Sequence, residues 1–332
     1  MILEPAVNYH SLTDLVSSDL VRAEERLKAL VESEVQLVTD IGRYVISSGG
    51  KRIRPAIMLL ASKAITGRPA SEAVIDAAAA VECLHTATLI HDDVVDGSSM
   101  RRGRHTANYA YGIAPTVLIG DYLLARAVAA ISALGKGEIF IKLADTVSIM
   151  AEGEIRQLDQ SFDTAIMEET YRGIIYSKTA RLFETAAWLA ADLSSDDRKF
   201  AESFSNFGRH IGNAFQITDD IIDYISTESA MGKNPGDDFM EGKITLPAIC
   251  ALRKADAADS KRLRDMFHEE SRTGMFSEAL AILQKYGAIE ESSASARKEA
   301  DLAADAVRSL ELGSDEKNAL LDLCSMVCER IR

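Results

Sequence analysis

Apolar residues recur at three- and four-residue intervals along almost the whole chain, and the strict alternation of a half-buried strand is nearly absent. Short Gly, Pro and Ser clusters interrupt the pattern. The spacing predicts helices near 10–32, 34–47, 54–66, 71–96, 115–134, 137–161, 167–192 and 197–227, then a smaller helical part over about 245–331. The fourth helix stops at Asp96-Gly97, a turn signal, so 97–112 (GSSMRRGRHTANYAYG) reads as an irregular basic loop. A second polar, Gly-rich loop, MGKNPGDDFMEGKIT, follows the eighth helix. No repeat of solenoid length stands out and the breaks are too short to be linkers. The expected fold class is all-α, with 1–332 as a single domain.

Composition supports this reading. Of 332 residues, 47% are hydrophobic and only six are Pro, while Ala-rich stretches such as DAAAAVE and ETAAWLAA favour helix. A net charge of −14 with no basic tract argues against a nucleic-acid partner. Cys83, Cys250, Cys324 and Cys328 form no spaced framework, which fits reduced thiols in a cytoplasmic protein. The first residues lack a basic segment leading into an apolar core, so no secretory signal is expected. Nor does any uninterrupted apolar run approach a membrane span.

Two acidic clusters of the same shape change the picture: Asp92-Asp93-x-x-Asp96 within LIHDDVVD, and Asp219-Asp220-x-x-Asp223 within FQITDDIIDY. Carboxylates four residues apart on a helix repel by a few tenths of a kcal/mol, about 0.2–0.5 per pair. Desolvating them costs far more unless a cation compensates. One turn before Asp92 lies Thr88, with Leu89 alongside and His85 two turns back, and behind Asp219 and Asp220 lie Phe215, Gln216 and Gly212, so both acidic edges are expected to point into a bundle. A matched pair of this kind suggests a shared multivalent cation. Hard oxygen donors with no Cys or His cluster favour Mg²⁺, which keeps waters and bridges to phosphate oxygens.

Basic residues gather beside the helix breaks. Gly49-Gly50-Lys51-Arg52-Ile53-Arg54-Pro55 places three cations on a glycine turn entering a helix, a setting that favours anions but also suits a solvated basic face. Arg101 and Arg102 follow the first acidic helix; they suit bidentate phosphate binding, or simply loop solubility. His85 shares the inner face with Asp92, where a satisfied core histidine is the bland alternative. Lys178-Thr179 falls mid-helix on a stripe with Ile174, Ile175 and Leu182, from which Lys178 either snorkels or reaches a buried anion. Gln216 precedes the second cluster by one turn. Lys233 and Lys243 flank the loop after it, where closure over a substrate would fit.

Taken together, GGKRIRP, HTATLIHDDVVDGSSMRRG, IIYSKTARLFE, FQITDDIIDY and GKNPGDDFMEGKITLP resemble the motifs of the trans-isoprenyl diphosphate synthases, in order and spacing, over about 40–250; 251–332 matches only as generic helices. Among them the chain is most similar to the bacterial long-chain, octaprenyl-forming enzymes. The resemblance implies an all-α bundle with a deep central cavity and the two clusters across its mouth. It implies that Asp92, Asp96 and Asp219 hold Mg²⁺, about three ions in all, on an allylic diphosphate. Asp93, Asp220 and Asp223 would support them. Lys51, Arg54, His85 and Arg102 would bind isopentenyl diphosphate, and Arg101, Lys178, Thr179, Gln216 and Lys233 the allylic substrate. A homodimer is implied, with an insoluble product passed to a membrane for quinone side chains. Ile244 departs from the family's frequent Pro.

Product length would depend on what lies beneath Asp92. Moving down that helix come Ala87 and Thr88, then Cys83 and Leu84, then Ala79 and Ala80. Each open turn of about 5.4 Å gives room for roughly one more isoprene unit. Ala125, Ala129 and Ala130 on a facing helix are expected to keep the space open, although alanines also permit close helix packing. The expectation is a long product, C40 favoured, with C45 and C50 left open. Three rivals weigh less. A terpene cyclase would lack the second full cluster and the GGKRIRP anchor. A non-catalytic partner subunit would have lost one cluster. A His-Asp phosphohydrolase would need more His near His91-Asp92.

Overall fold

The computed structural model describes residues 13–225, 236–268 and 272–330. Helices dominate: α1 (Ser17–Leu30), α2 (Gln36–Ser47), α3 (Ile53–Thr66) and α4 (Glu72–Val95) open the chain. Ser71 caps α4 by accepting a hydrogen bond from the Val74 N–H. Gly67, at φ 66°, ends α3 in the left-handed conformation that glycine adopts freely.

The basic segment after α4 is ordered, contrary to the irregular loop expected. Met100–Arg101 (β1) pairs antiparallel with Arg104–His105 (β2), and Ala107–Tyr111 forms the short helix α5. Arg102 and Gly103 both have positive φ, 52° and 73°, as a two-residue hairpin turn requires. A four-residue hairpin is too short to show period-two alternation, so the sequence pattern did not reveal it.

Next come α6 (Ile113–Ser132), α7 (Gly137–Asp159) and α8 (Glu168–Ile175). The helix expected over 167–192 is interrupted by a π-helical turn, Tyr176–Ala180, before α9 (Arg181–Ser194). Then α10 (Arg198–Ile225) runs for 28 residues. The remainder is α11 (Asp237–Met240), α12 (Leu246–Lys254), α13 (Ala257–His268), α14 (Phe276–Lys285), α15 (Ala288–Arg308) and α16 (Ser314–Glu329).

Two apolar cores are joined by α10. Its first half (Phe204, Phe207, Ile211, Ala214) packs into the larger core with α3, α4, α6 and α9. Its second half (Ile217, Ile221, Tyr224) enters a smaller core with Tyr171, Phe239, Leu246 and Phe267. Both α4 and α6 are long and apolar enough to cross a membrane by length and composition, a correction to the sequence reading; α4 is the buried spine of the bundle, whereas most of α6 is uncovered.

The approach of α10 to α9 depends on two glycines. A Cβ at Gly208 would lie 2.4 Å from the Phe183 carbonyl oxygen and 2.7 Å from the Glu184 Cα. One at Gly212 would lie 2.5 Å from the Ala180 Cα. These are backbone atoms and cannot rotate aside. Gly208→Ala and Gly212→Ala are each expected to destabilise by about 1–3 kcal/mol, the usual cost of overpacking. Thermal unfolding measures this, and an unchanged melting temperature in both variants would contradict the close approach.

Candidate active site

Helix α4 presents His85, Thr88 and Asp92 on successive turns, with Asp96 capping its end. Helix α10 presents Gln216, then Asp219, Asp220 and Asp223. Asp93, Asp220 and Asp223 are buried, and Asp92 and Asp219 are half-buried. The expectation that both acidic edges point into the bundle therefore holds for five of the six.

Two relays connect the clusters. In the first, the π-helical turn changes the register of the stripe on which Lys178 was placed. Lys178 Nζ donates to Glu154 Oε2 on α7 (2.9 Å), and its charge also acts on Asp92. Thr179 donates to Gln216 Oε1 (2.6 Å), and Gln216 Nε2 donates to Asp220 Oδ1 (2.7 Å). Adding one residue to a helical turn is a recurrent way of redirecting functional side chains. In the second relay, Asp238 N–H donates to Asp223 Oδ2 (3.1 Å) at the start of the segment whose Lys243 Nζ stands 3.5 Å from Asp96 Oδ1. A cavity of about 90 Å³ lies between the relays, lined by Lys178, Gln216, Asp220, Asp238 and Lys243.

The electrostatics of this pocket are strained. Burial pushes the Asp92 carboxyl up to about 6, with Glu154 and Asp96 adding to the rise and Lys178 opposing it. Asp223 is pushed up to about 8 by burial and by Asp238, and Asp220 lies well above the usual carboxylate range for the same two reasons. Negative charge is thus under-compensated, which is what a divalent cation relieves. Among the described residues no three His, Cys, Asp or Glu side chains converge on one point. The oxygens of Asp92, Asp96 and Asp219 fit Mg²⁺, which takes one or two carboxylates and fills its shell from water and phosphate.

A second cluster, of cations, lies between α4 and the hairpin that follows it. Arg102 Nη1 donates to the Gly49 carbonyl, and Arg104 Nη1 to that of Ser47 (3.3 Å), so the hairpin is docked on the glycine turn. Arg101 Nε donates to Asp93 Oδ1 (2.7 Å). A cavity of about 50 Å³ is enclosed here by Gly49, Arg52, Glu82, His85, Arg101 and Arg102 among others. His85 is held well below the ordinary histidine value by burial and by Arg54, Arg102, Arg101 and Arg52, so its imidazole is neutral. Arg54 lies over the Phe183 ring (4.2 Å), its Nε buried without a hydrogen-bond partner. Burial pulls it down to about 10, still charged at neutral pH. Lys51 is exposed.

A model of the polyprenyl synthetase family matches residues 35–283. The chain belongs to the polyprenyl synthetases. It is 38% identical over 316 residues to an octaprenyl diphosphate synthase of Haemophilus influenzae, covering 95% of each chain. It is also 38% identical to an all-trans-nonaprenyl-diphosphate synthase of Rhodobacter capsulatus, covering 96% of each. A polyprenyl synthase from Caulobacter crescentus, solved with calcium and isoprenyl diphosphate, superposes with a TM-score of 0.89 at 32% identity, over 100% of this chain and 99% of that one. The enzyme is therefore a prenyltransferase of the trans-polyprenyl diphosphate synthase kind.

Not every expected position behaves as foreseen. Lys233 lies outside the described residues. Ala87, Cys83 and Leu84 are buried and Thr88 is half-buried, its hydroxyl donating to the His85 carbonyl (2.8 Å). Cys83 Sγ contacts the Leu123 carbonyl (3.4 Å), placing α6 against this level of α4. On α6, however, Ala125 and Ala129 are exposed and Ala130 only half-buried; the inward stripe is Thr116, Ile119, Gly120, Leu123, Ala127 and Ile131. The expected facing alanines were out of register, because α6 is apolar on both faces and its sequence does not say which one turns inward.

Four residues escaped the sequence reading. Glu154 pairs with Lys178, and Tyr171 donates its hydroxyl to Asp220 Oδ2 (2.5 Å). Asp238, in the NPGDDF string, was visible as an acidic pair but carried no helical context. Arg330 stands on Asp219 at 2.7 Å and over the Phe215 ring at 4.7 Å, with no local sequence signal to announce it. Asp92→Asn and Asp219→Asn should each lower turnover about 100-fold, or ~2.7 kcal/mol in transition-state stabilisation. Relief of carboxylate repulsion should leave the Asp92→Asn protein at least as thermally stable as wild type. Pyrophosphate release and melting curves check the pair of outcomes.

Proposed function

We propose that the enzyme is a long-chain all-trans-polyprenyl diphosphate synthase. It adds isopentenyl diphosphate repeatedly, head to tail, to an allylic diphosphate such as farnesyl diphosphate, with Mg²⁺ and an octaprenyl (C40) product. The observation that carries this reading is the presence of two separate subsites of different chemistry, one lined by the π-helical turn, α10 and the segment from Asp238 to Thr245, the other by α4 and the hairpin after it. One is acidic and suited to a metal-borne diphosphate; the other is basic, with Arg54, Arg101, Arg102 and neutral His85, and suited to a diphosphate without metal. A cyclase, handling a single diphosphate, has no use for the second.

Bound Mg²⁺, held by Asp92, Asp96 and Asp219, would supply the positive charge that lets the allylic diphosphate leave. The chain's own residues do the rest. Lys178 and Lys243 bring cations to the same pocket from the π-helical turn and from the segment after α11. Gln216 and Thr179 fix Asp220, and Tyr171 holds it from beneath. The basic subsite orients the second substrate so that its double bond meets the allylic carbon. The apolar stripe of Leu84, Ala87 and Ile90 on α4 keeps water from the developing carbocation. The proton lost at the end of each cycle is taken up by the released diphosphate, itself a base.

Chain length rests on Ala87 and the turns beneath it. That equally similar relatives carry octaprenyl and nonaprenyl names supports a long product and leaves the exact length to the cavity. Incubation with Mg²⁺, labelled isopentenyl diphosphate and farnesyl diphosphate should give a dominant C40 alcohol after dephosphorylation. Ala87→Phe should shorten the product by several isoprene units; an unchanged ladder would refute this view of the cavity, and no elongation by wild type would refute the activity.

A homodimer is supported by the outer faces of α6 and α7, where Ile113, Leu118, Ile141, Ile155 and Leu158 are all exposed. An uncovered apolar surface of this extent marks an association site. Light scattering should give twice the chain mass, and Leu118→Asp with Ile141→Asp should reduce it to the monomer. The four cysteines are free thiols, in keeping with a reducing cytoplasmic location, and a product this apolar would pass to a membrane.

A further inference from the structure

The buried carboxylate of Glu82 is used by none of the chemistry above. It lies on α4 one turn before His85, is 6% exposed, and lines the basic subsite. Arg52 Nη1 donates to Glu82 Oε1 at 2.8 Å. Three further hydrogen bonds of the same guanidinium go to Glu24 of α1 (Nε to Oε2, 3.0 Å; Nη2 to Oε1, 3.3 Å) and to the Ile46 carbonyl of α2 (Nη2, 3.2 Å). Four of its five N–H donors are thus held by protein, which fixes the side chain in place, whereas the Nε of Arg54 is buried without a partner.

The backbone gives this pair its meaning. Arg52 has φ 47°, and among the described residues only Arg102 and Phe162 share a positive φ without being glycine. Two of these three positions border the same small pocket. A non-glycine residue stays in that region only where its surroundings over-determine it. The four hydrogen bonds of Arg52 do so, tying α1, α2 and α4 to the turn that carries Lys51 on one side and Arg54 on the other.

We propose that Glu82, acting through Arg52, is a positioning residue for the metal-free diphosphate subsite, holding the Lys51–Arg54 turn in its binding conformation before the anion arrives. This rests on the reading of the basic pocket as the isopentenyl diphosphate site. The charge of Glu82 alone has the opposite consequence. It partly cancels Arg52, Arg54 and Arg102, so a purely electrostatic role would have its removal tighten anion binding. Positioning requires that its removal weaken binding, and the sign separates the two.

The test uses Glu82→Gln, Glu82→Asp and Arg52→Gly, the last retaining a backbone at ease with positive φ while deleting the guanidinium. Steady-state kinetics should show KM for isopentenyl diphosphate raised about tenfold or more in Glu82→Gln and Arg52→Gly, with KM for farnesyl diphosphate within about twofold of wild type. Glu82→Asp should recover part of the loss. Calorimetric binding of inorganic pyrophosphate in EDTA should weaken in parallel. Equal or tighter pyrophosphate binding by Glu82→Gln overturns the proposal, as does a loss shared equally by both substrates. Where Glu82→Gln fails to fold, Arg52→Gly decides, and an unchanged KM there overturns it. If wild type incorporates no isopentenyl diphosphate, the functional reading falls, while pyrophosphate binding in EDTA still decides the role of Glu82.

Discussion

Carboxylates removed from water beside one another cost free energy that only positive charge returns, and the second half of this fold is organised around that cost. Asp220 and Asp223 are buried on α10, with Asp238 close enough to raise both. The protein meets part of the demand with hydrogen bonds from Tyr171, Gln216 and the Asp238 N–H. Lys243 brings a cation to Asp96 and Arg330 brings one to Asp219. What remains uncompensated is negative charge in a desolvated pocket, the condition that a bound cation relieves.

That arrangement needs the helices closer than ordinary side chains permit. Gly208 and Gly212 let α10 lie against the backbone of α9 and the π-helical turn, which is where Lys178 and Thr179 are presented. Gly153 does the same between α7 and the turn, since a Cβ there would lie 2.7 Å from Ser177 Cβ. Glycines placed for approach rather than for φ thus set the distance across which Gln216 spans from Thr179 to Asp220.

Helix α4 separates two opposite electrostatic problems. Its acidic end faces Lys243 through Asp96, while Glu82 and His85, further down, meet a cluster of arginines. Burial and the four arginines around it hold His85 well below the ordinary histidine value, so that it adds no further charge there. The hairpin Met100–His105 closes this side by docking Arg102 and Arg104 on the carbonyls around Gly49.

Much of this was legible in the chain. Helical periodicity placed α2, α3, α4, α6, α7 and α10 within a few residues, because long amphipathic or apolar runs have one way to be satisfied. The paired Asp-Asp-x-x-Asp clusters were legible as inward-facing carboxylates, because polar residues in apolar runs must have partners, and Asp93, Asp220 and Asp223 are buried with theirs. Local sequence could not announce the π-helical turn, whose extra residue is stabilised by Glu154 and Gln216 reaching in from other helices. It did not reveal the inward face of α6, since both faces are apolar. Nor did it join Arg330 to Asp219 or Arg52 to Glu82. Spacing along one helix determines which side chains share a face. Which distant charge is brought to that face is decided only by how the helices pack.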